Sequence, residues 1–157
     1  QYFKAVERSR MSEAVSLLSS IASAQQRKYL QINKYAGTFA GLDVAPAGVT
    51  GGTFHTKGTQ TAPGNGFLIT LSPEATLTNY SGGYATAVRE AESGTTLNYT
   101  YSLARYYDQD ITLCAGGNTN GKALCADFCG IDNANTTCCT SAGAETCTFP
   151  GSTQQGG

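Results

Sequence analysis

Backbone punctuation is missing from the first 35 residues of this chain, and that constrains the fold more than any other feature. From Gln1 to Tyr35 there is no Gly and no Pro, whereas the remainder holds all 19 Gly and all 4 Pro. Gly and Pro are the two residues that most disfavour a helix interior. Apolar side chains recur at Met11, Val15, Leu18, Ala22, Tyr29 and Ile32, and Ala14, Leu17 and Ile21 widen the stripe. That is the spacing of an amphipathic helix. The pattern predicts one helix over residues 1–35, already running at Gln1. At 1.5 Å per residue it spans roughly 50 Å, more than a domain of this size needs, so part of it serves something outside the domain. Phe3 and Val6 are apolar without an obvious core partner so early in the chain, so residues 1–12 are expected to protrude.

The rest reads as sheet and loop. Residues 36–66 form a long connection without a clear period. Strands are predicted at Phe67–Leu71, Tyr84–Ala91, Asn98–Tyr107 and Ile111–Cys114, with Tyr99, Tyr101, Leu103 and Arg105 sharing one face of the third. Turn signals lie at Ser81–Gly83, Glu92–Thr95 and Asp108–Asp110. Short gaps favour antiparallel neighbours. The expectation is a four-stranded meander covering the C-terminal half of the helix, with Tyr35 and Phe39 folding back onto the helix end.

All six Cys lie between Cys114 and Cys147, in a Gly-, Asn- and Thr-rich region with little apolar periodicity. Cys114, Cys125, Cys129, Cys138, Cys139 and Cys147 contain no CxxC pair and have no His nearby, which points to disulfides formed in an oxidising compartment rather than to zinc. Six Cys allow 15 pairings. Cys114 with Cys125 is the first choice, and the adjacent Cys138 and Cys139 go to different partners, Cys129 and Cys147 among them. Residues 115–150 are read as a disulfide-held loop region and 151–157 as a flexible tail.

Composition narrows the function classes. The chain is 40% apolar and only 13% charged, with net charge -1 and a pI near 5.7, which suits a globular domain and argues against a nucleic-acid binder. The one His, His55, sits in a Thr/Gly-rich loop with neither a nucleophile nor an orienting carboxylate near it in sequence, so it reads as a surface residue. Glu90 with Glu92, and Asp108 with Asp110, read as solvated acids at strand ends and turns. Asp108, Asp110, Asp127 and Asp132 are the residues that could contribute oxygen ligands to calcium, but they form no clustered run of acids. Triplets at Asn79, Asn98 and Asn135 match the glycosylation acceptor pattern, and no glycan is inferred from them. No catalytic residue, cofactor site or metal site is assigned, and the chain is not read as an enzyme.

The run from Phe3 to Val15 (FKAVERSRMSEAV), then Leu17 to Leu30 (LLSSIASAQQRKYL), Asn33 to Phe39 (NKYAGTF) and Leu42 to Val44 (LDV) resembles the type IV pilins and the related pseudopilins of type II secretion. The resemblance covers residues 1–44 well and the sheet and cysteine region more loosely. It implies an α+β fold, in a single pilin-like domain over 1–157: helix 1–35, connecting loop 36–66, sheet 67–114, cysteine-rich region 115–150 and tail 151–157. It also implies an apolar helical segment before the position of Gln1, anchoring the protein in the bacterial inner membrane before assembly into an extracellular filament. The partners implied are further copies of the chain and a pilus or secretion assembly machinery. Phe3, Lys4, Val6, Glu7, Arg8, Arg10 and Glu13 become the filament-interface candidates, their charges setting register between subunits. Adhesion, twitching motility and DNA uptake are the outputs of such filaments. Two other readings stay open: a secretion pseudopilin, although major pseudopilins hold calcium where this chain has cysteines, and a secreted cysteine-rich binding module.

Overall fold

The computed structural model describes residues 2–59, 61–72, 83–132, 137–140, 147 and 149–150, with the backbone alone for residue 2. The predicted helix start at Gln1, most of the Ser81–Gly83 turn, the Asn79 and Asn135 triplets and the 151–157 tail fall outside these residues.

Helix α1, Tyr2–Ile32, is continuous for 31 residues, roughly 46 Å at the standard rise. Nothing in its interior breaks the ladder. It stops at Asn33, whose φ of 59° is left-handed and whose N–H returns to the Tyr29 carbonyl at 2.8 Å, so the helix is three residues shorter than predicted. Its buried side is Met11, Ala14, Leu18, Ile21, Ala22 and Ala24, with Glu7 and Gln25 at the two limits. The sheet therefore covers the middle of the helix, not its C-terminal half. Tyr29 and Ile32, placed on the stripe by spacing, are exposed, because no sheet lies beneath the last two turns.

The sheet is a pure antiparallel meander in chain order. Its strands are β1 (Thr53–His55), β2 (Phe67–Ser72), β3 (Tyr84–Arg89), β4 (Tyr101–Tyr106), β5 (Thr112–Gly116) and β6 (Cys138–Cys139). Among the described residues, six strands replace the four predicted. β1 and β6 were missed because three and two residues are too short to show alternation, and each is held at an edge by a single neighbour. Alternation works where strands are long enough: Phe67, Ile69 and Leu71 of β2 are buried while Leu68, Thr70 and Ser72 are half-buried. In β3, Ala85 and Ala87 turn inward, and their small side chains let the helix lie close.

The cysteine region is not a loop throughout. Helix α2, Thr119–Cys129, packs beside α1 on the same face of the sheet, placing Leu124, Cys125, Ala126 and Cys129 in the main core with Met11 and Leu18. It is capped at both ends. The Asn118 side chain accepts the Gly121 N–H at 2.7 Å, and Gly130 (φ 74°) closes the other end. The opposite face of the sheet carries a smaller cluster of Ala104, Tyr106, Leu113 and Cys139, with Tyr84, Ile111, Cys147 and Phe149 against it.

Three disulfides tie these layers. Cys114–Cys125 joins β5 to α2, Cys129–Cys138 joins the end of α2 to β6, and Cys139–Cys147 lies on the far face. Adjacent strand residues point to opposite faces. Cys138 accordingly enters the main core and Cys139 the smaller one, and they take different partners.

After α1 the chain folds back through the buried Gln25. Its amide nitrogen donates to the Ala36 carbonyl and its oxygen accepts the Ala36 N–H, both at 2.7 Å. Tyr35 packs between Tyr29 and Tyr107, with ring centroids 4.8 and 4.9 Å away, and Phe39 meets Phe54 of β1 edge-on at 5.0 Å.

Candidate functional site

The first three turns of α1 hold every interface candidate raised by the sequence, and the structure divides those candidates into two sets. Glu7 is buried, with its carboxylate facing β3 and β4. Its Oε2 accepts the Arg89 Nε–H at 2.6 Å and the Tyr101 hydroxyl at 2.6 Å, and its Oε1 accepts from Arg89 Nη2 at 3.2 Å and Arg10 Nη1 at 3.3 Å. Arg89 is equally enclosed. Nη1 donates to the Gly66 carbonyl (3.1 Å) and the Glu90 carbonyl (2.8 Å), and Nη2 also donates to Asn65 Oδ1 (2.8 Å). All five guanidinium N–H groups thus have acceptors. The guanidinium carbon also lies 5.6 Å from the centre of the Phe67 ring.

A buried ion pair stabilises only if the remaining donors and acceptors are satisfied, and here they are. Burial pushes the Glu7 carboxyl up, but hydrogen bonds from Arg89, Tyr101 and Arg10 and the Arg89 charge outweigh it and hold the group below the usual carboxylate range. Tyr101 is pushed well above a normal phenol by burial and by its bond to Glu7. Glu7 therefore stays ionised as a fixed bolt between helix and sheet.

Lys4 and Arg8 turn to α2. Lys4 Nζ and Arg8 Nη2 each lie 2.7 Å from Asp127 Oδ2, and these bonds, the one from Lys4 first, lower the Asp127 carboxyl. Four of the five charged candidates, Lys4, Glu7, Arg8 and Arg10, are thus engaged within the chain. These intrachain partners lie 80 or more positions away in sequence, or on the helix itself, and spacing on one helix could not reveal them. Glu13 is exposed, Val6 is half-buried and Phe3 is 66% exposed. The protruding segment is likewise shorter than residues 1–12, since Glu7 and Met11 are buried.

A cleft of about 390 Å³ opens beside this bolt. Phe3, Val6 and Arg10 of α1 form one wall, and Glu92, Leu97 and Tyr99, from the segment between β3 and β4, form the other. The far end of α1 is the counterpart, with Leu30 86% and Ile32 53% exposed.

His55 is not a free surface residue. Its Nδ1 lies 2.8 Å from Glu90 Oε1, and both side chains are mostly buried. The pairing crosses β2 and is invisible in sequence because 35 positions separate the two. Glu90 accordingly pairs with His55 rather than with Glu92. The four aspartates raised for calcium go separate ways: Asp127 is held by α1, and Asp110 lies 3.4 Å from Arg105 Nη2. Among the described residues, no group of three or more His, Cys, Asp or Glu is placed to hold a metal ion.

No protein-family model, curated protein or solved structure matches the chain. Among the described residues, no helix is long and apolar enough to cross a membrane.

Proposed function

We propose that this protein is the globular part of a pilin, a structural subunit that polymerises into a type IV pilus-like filament on the bacterial surface. The observation carrying this reading is the use made of α1. A single helix of 31 residues has its middle buried on an antiparallel meander, and its large apolar side chains, Phe3 at one end and Leu30 and Ile32 at the other, stay exposed. One chain does not bury the helix it makes, and repeated copies would. The three disulfides suit a subunit displayed outside the cytoplasm. On this reading an apolar segment ahead of residue 1 holds the subunit in the inner membrane until an assembly machinery extracts it. Adhesion, motility and DNA uptake are the outputs such a filament serves.

The test is to express the complete coding sequence in its native cell, shear the surface and locate the chain by immunogold electron microscopy. Labelled filaments that vanish on deletion of the gene are the expected result. Label confined to the periplasm would move the assignment to a secretion pseudopilus. A soluble monomer released by an ordinary signal peptidase would overturn the filament reading in favour of a secreted binding module.

A further inference from the structure

We infer that the cleft at the start of α1 receives the end of α1 from a second copy of the chain, in a head-to-tail contact. The inference rests on the filament reading and names the surfaces that would meet. Leu30 is large, apolar and 86% exposed at the tip of the helix, and the cleft walled by Phe3, Val6, Leu97 and Tyr99 has room for it, while Ile32, two positions on, projects from the other side of the helix. Leu30 and the cleft lie near opposite ends of one helix, roughly 40 Å apart along its axis. A knob on one surface that fits a pocket elsewhere on the same molecule makes a heterologous contact, which repeats without closing and yields an open array.

Charge supports the same orientation. Glu92 on the cleft wall is exposed, as is Lys34 just beyond the helix tip, and they carry opposite charges. A contact this small is weak as a single pair and gains strength by repetition.

The experiment places the photo-crosslinker benzoylphenylalanine at position 30 of the 157-residue chain, irradiates concentrated protein and maps the joined peptides by mass spectrometry. The expected result is a ladder of covalent dimers, trimers and higher species. Its cross-links should run from position 30 to residues 3–10 or 92–99 of another copy. Glu92→Lys should cut the ladder at least about fivefold, and Glu92→Lys with Lys34→Glu should restore it, since reversing both charges recovers the pairing. Circular dichroism keeps the comparison to folded variants, both positions being on the surface. Cross-links from position 30 to itself, to other surfaces only, or to no second chain would overturn the inference, as would a ladder indifferent to both charge changes. A ladder formed by a protein that makes no filament in cells would leave this contact standing and remove the pilin reading. Cellular filaments lacking these cross-links would do the reverse.

Discussion

At the residue scale, Glu7 and Arg89 carry the largest single energetic consequence. Removing one member of a buried ion pair leaves the other desolvated and unpaired, at a cost of about 3–5 kcal/mol. Arg89→Met should therefore lower the unfolding free energy by about that amount in urea titrations, and a loss under about 1 kcal/mol would refute the bolt. Asp127→Asn provides the contrast. Asp127 and its partners Lys4 and Arg8 are partly exposed, so solvent screens them, and the loss should stay below about 1 kcal/mol.

The bolt also has a pH signature. The Glu7 carboxyl titrates lower in the folded chain than its ordinary value of 4.5. At pH values between the folded and unfolded pKa, the unfolded chain binds more protons, so stability rises with pH through that window. The Glu7 contribution is then complete above about pH 4.5 and lost as the pH falls through the folded value. Acid denaturation of Glu7→Gln should show a shallower loss over that window than the parent chain. None of this was legible in residues 1–35: Glu7 looks like any surface glutamate on a helix, and Arg89 reads as the polar member of an alternating strand.

At the element scale, α2 is where sequence reading was weakest. Eleven residues containing Gly121 and two Cys do not show a helical stripe, yet the signals were present: Asn118 before, Gly130 after, and Cys125 and Cys129 four apart between them. Gly121 has a steric role. A Cβ there would lie 1.8 Å from the Thr100 carbonyl oxygen, so the first turn of α2 rests directly on the backbone leading into β4. Gly121→Ala is expected to destabilise by more than the ~1–2 kcal/mol that Asn118→Ala costs as a lost cap. If the two were equal in thermal unfolding, that close approach would not exist.

The disulfides should differ in access. Cys114, Cys125 and Cys138 are fully buried and Cys129 nearly so, while Cys147 is only half-buried. Timed reduction of the native chain followed by alkylation and peptide mapping should therefore open Cys139–Cys147 first. Before reductant is added, labelling should find no thiol, since all six are paired. Release of Cys114–Cys125 ahead of Cys139–Cys147 would contradict the packing of α2.

At the scale of the whole molecule, the exposed tip of α1 separates folding from association. Leu30 and Ile32 add nothing to the core, so Leu30→Glu with Ile32→Glu should leave unfolding free energy within about 0.5 kcal/mol of the parent. The same change should reduce concentration-dependent self-association in sedimentation velocity. A large loss of stability instead would mean that the tip packs within its own chain.

The sequence by itself determined the long α1, the strands β2 through β5, the meander order and the disulfide-held C-terminal region. Each of these is local: a helical stripe, a period of two, short turns and clustered Cys act over a few residues and survive in the linear text. Tertiary structure alone decided which part of α1 is buried, that β1 and β6 are strands, that α2 docks beside α1, and that Glu7 meets Arg89 while His55 meets Glu90. Those outcomes depend on groups from 13 to 123 positions apart. Only burial gives such pairs their energy, because a charge or hydroxyl taken from water must find a partner wherever the fold has placed one.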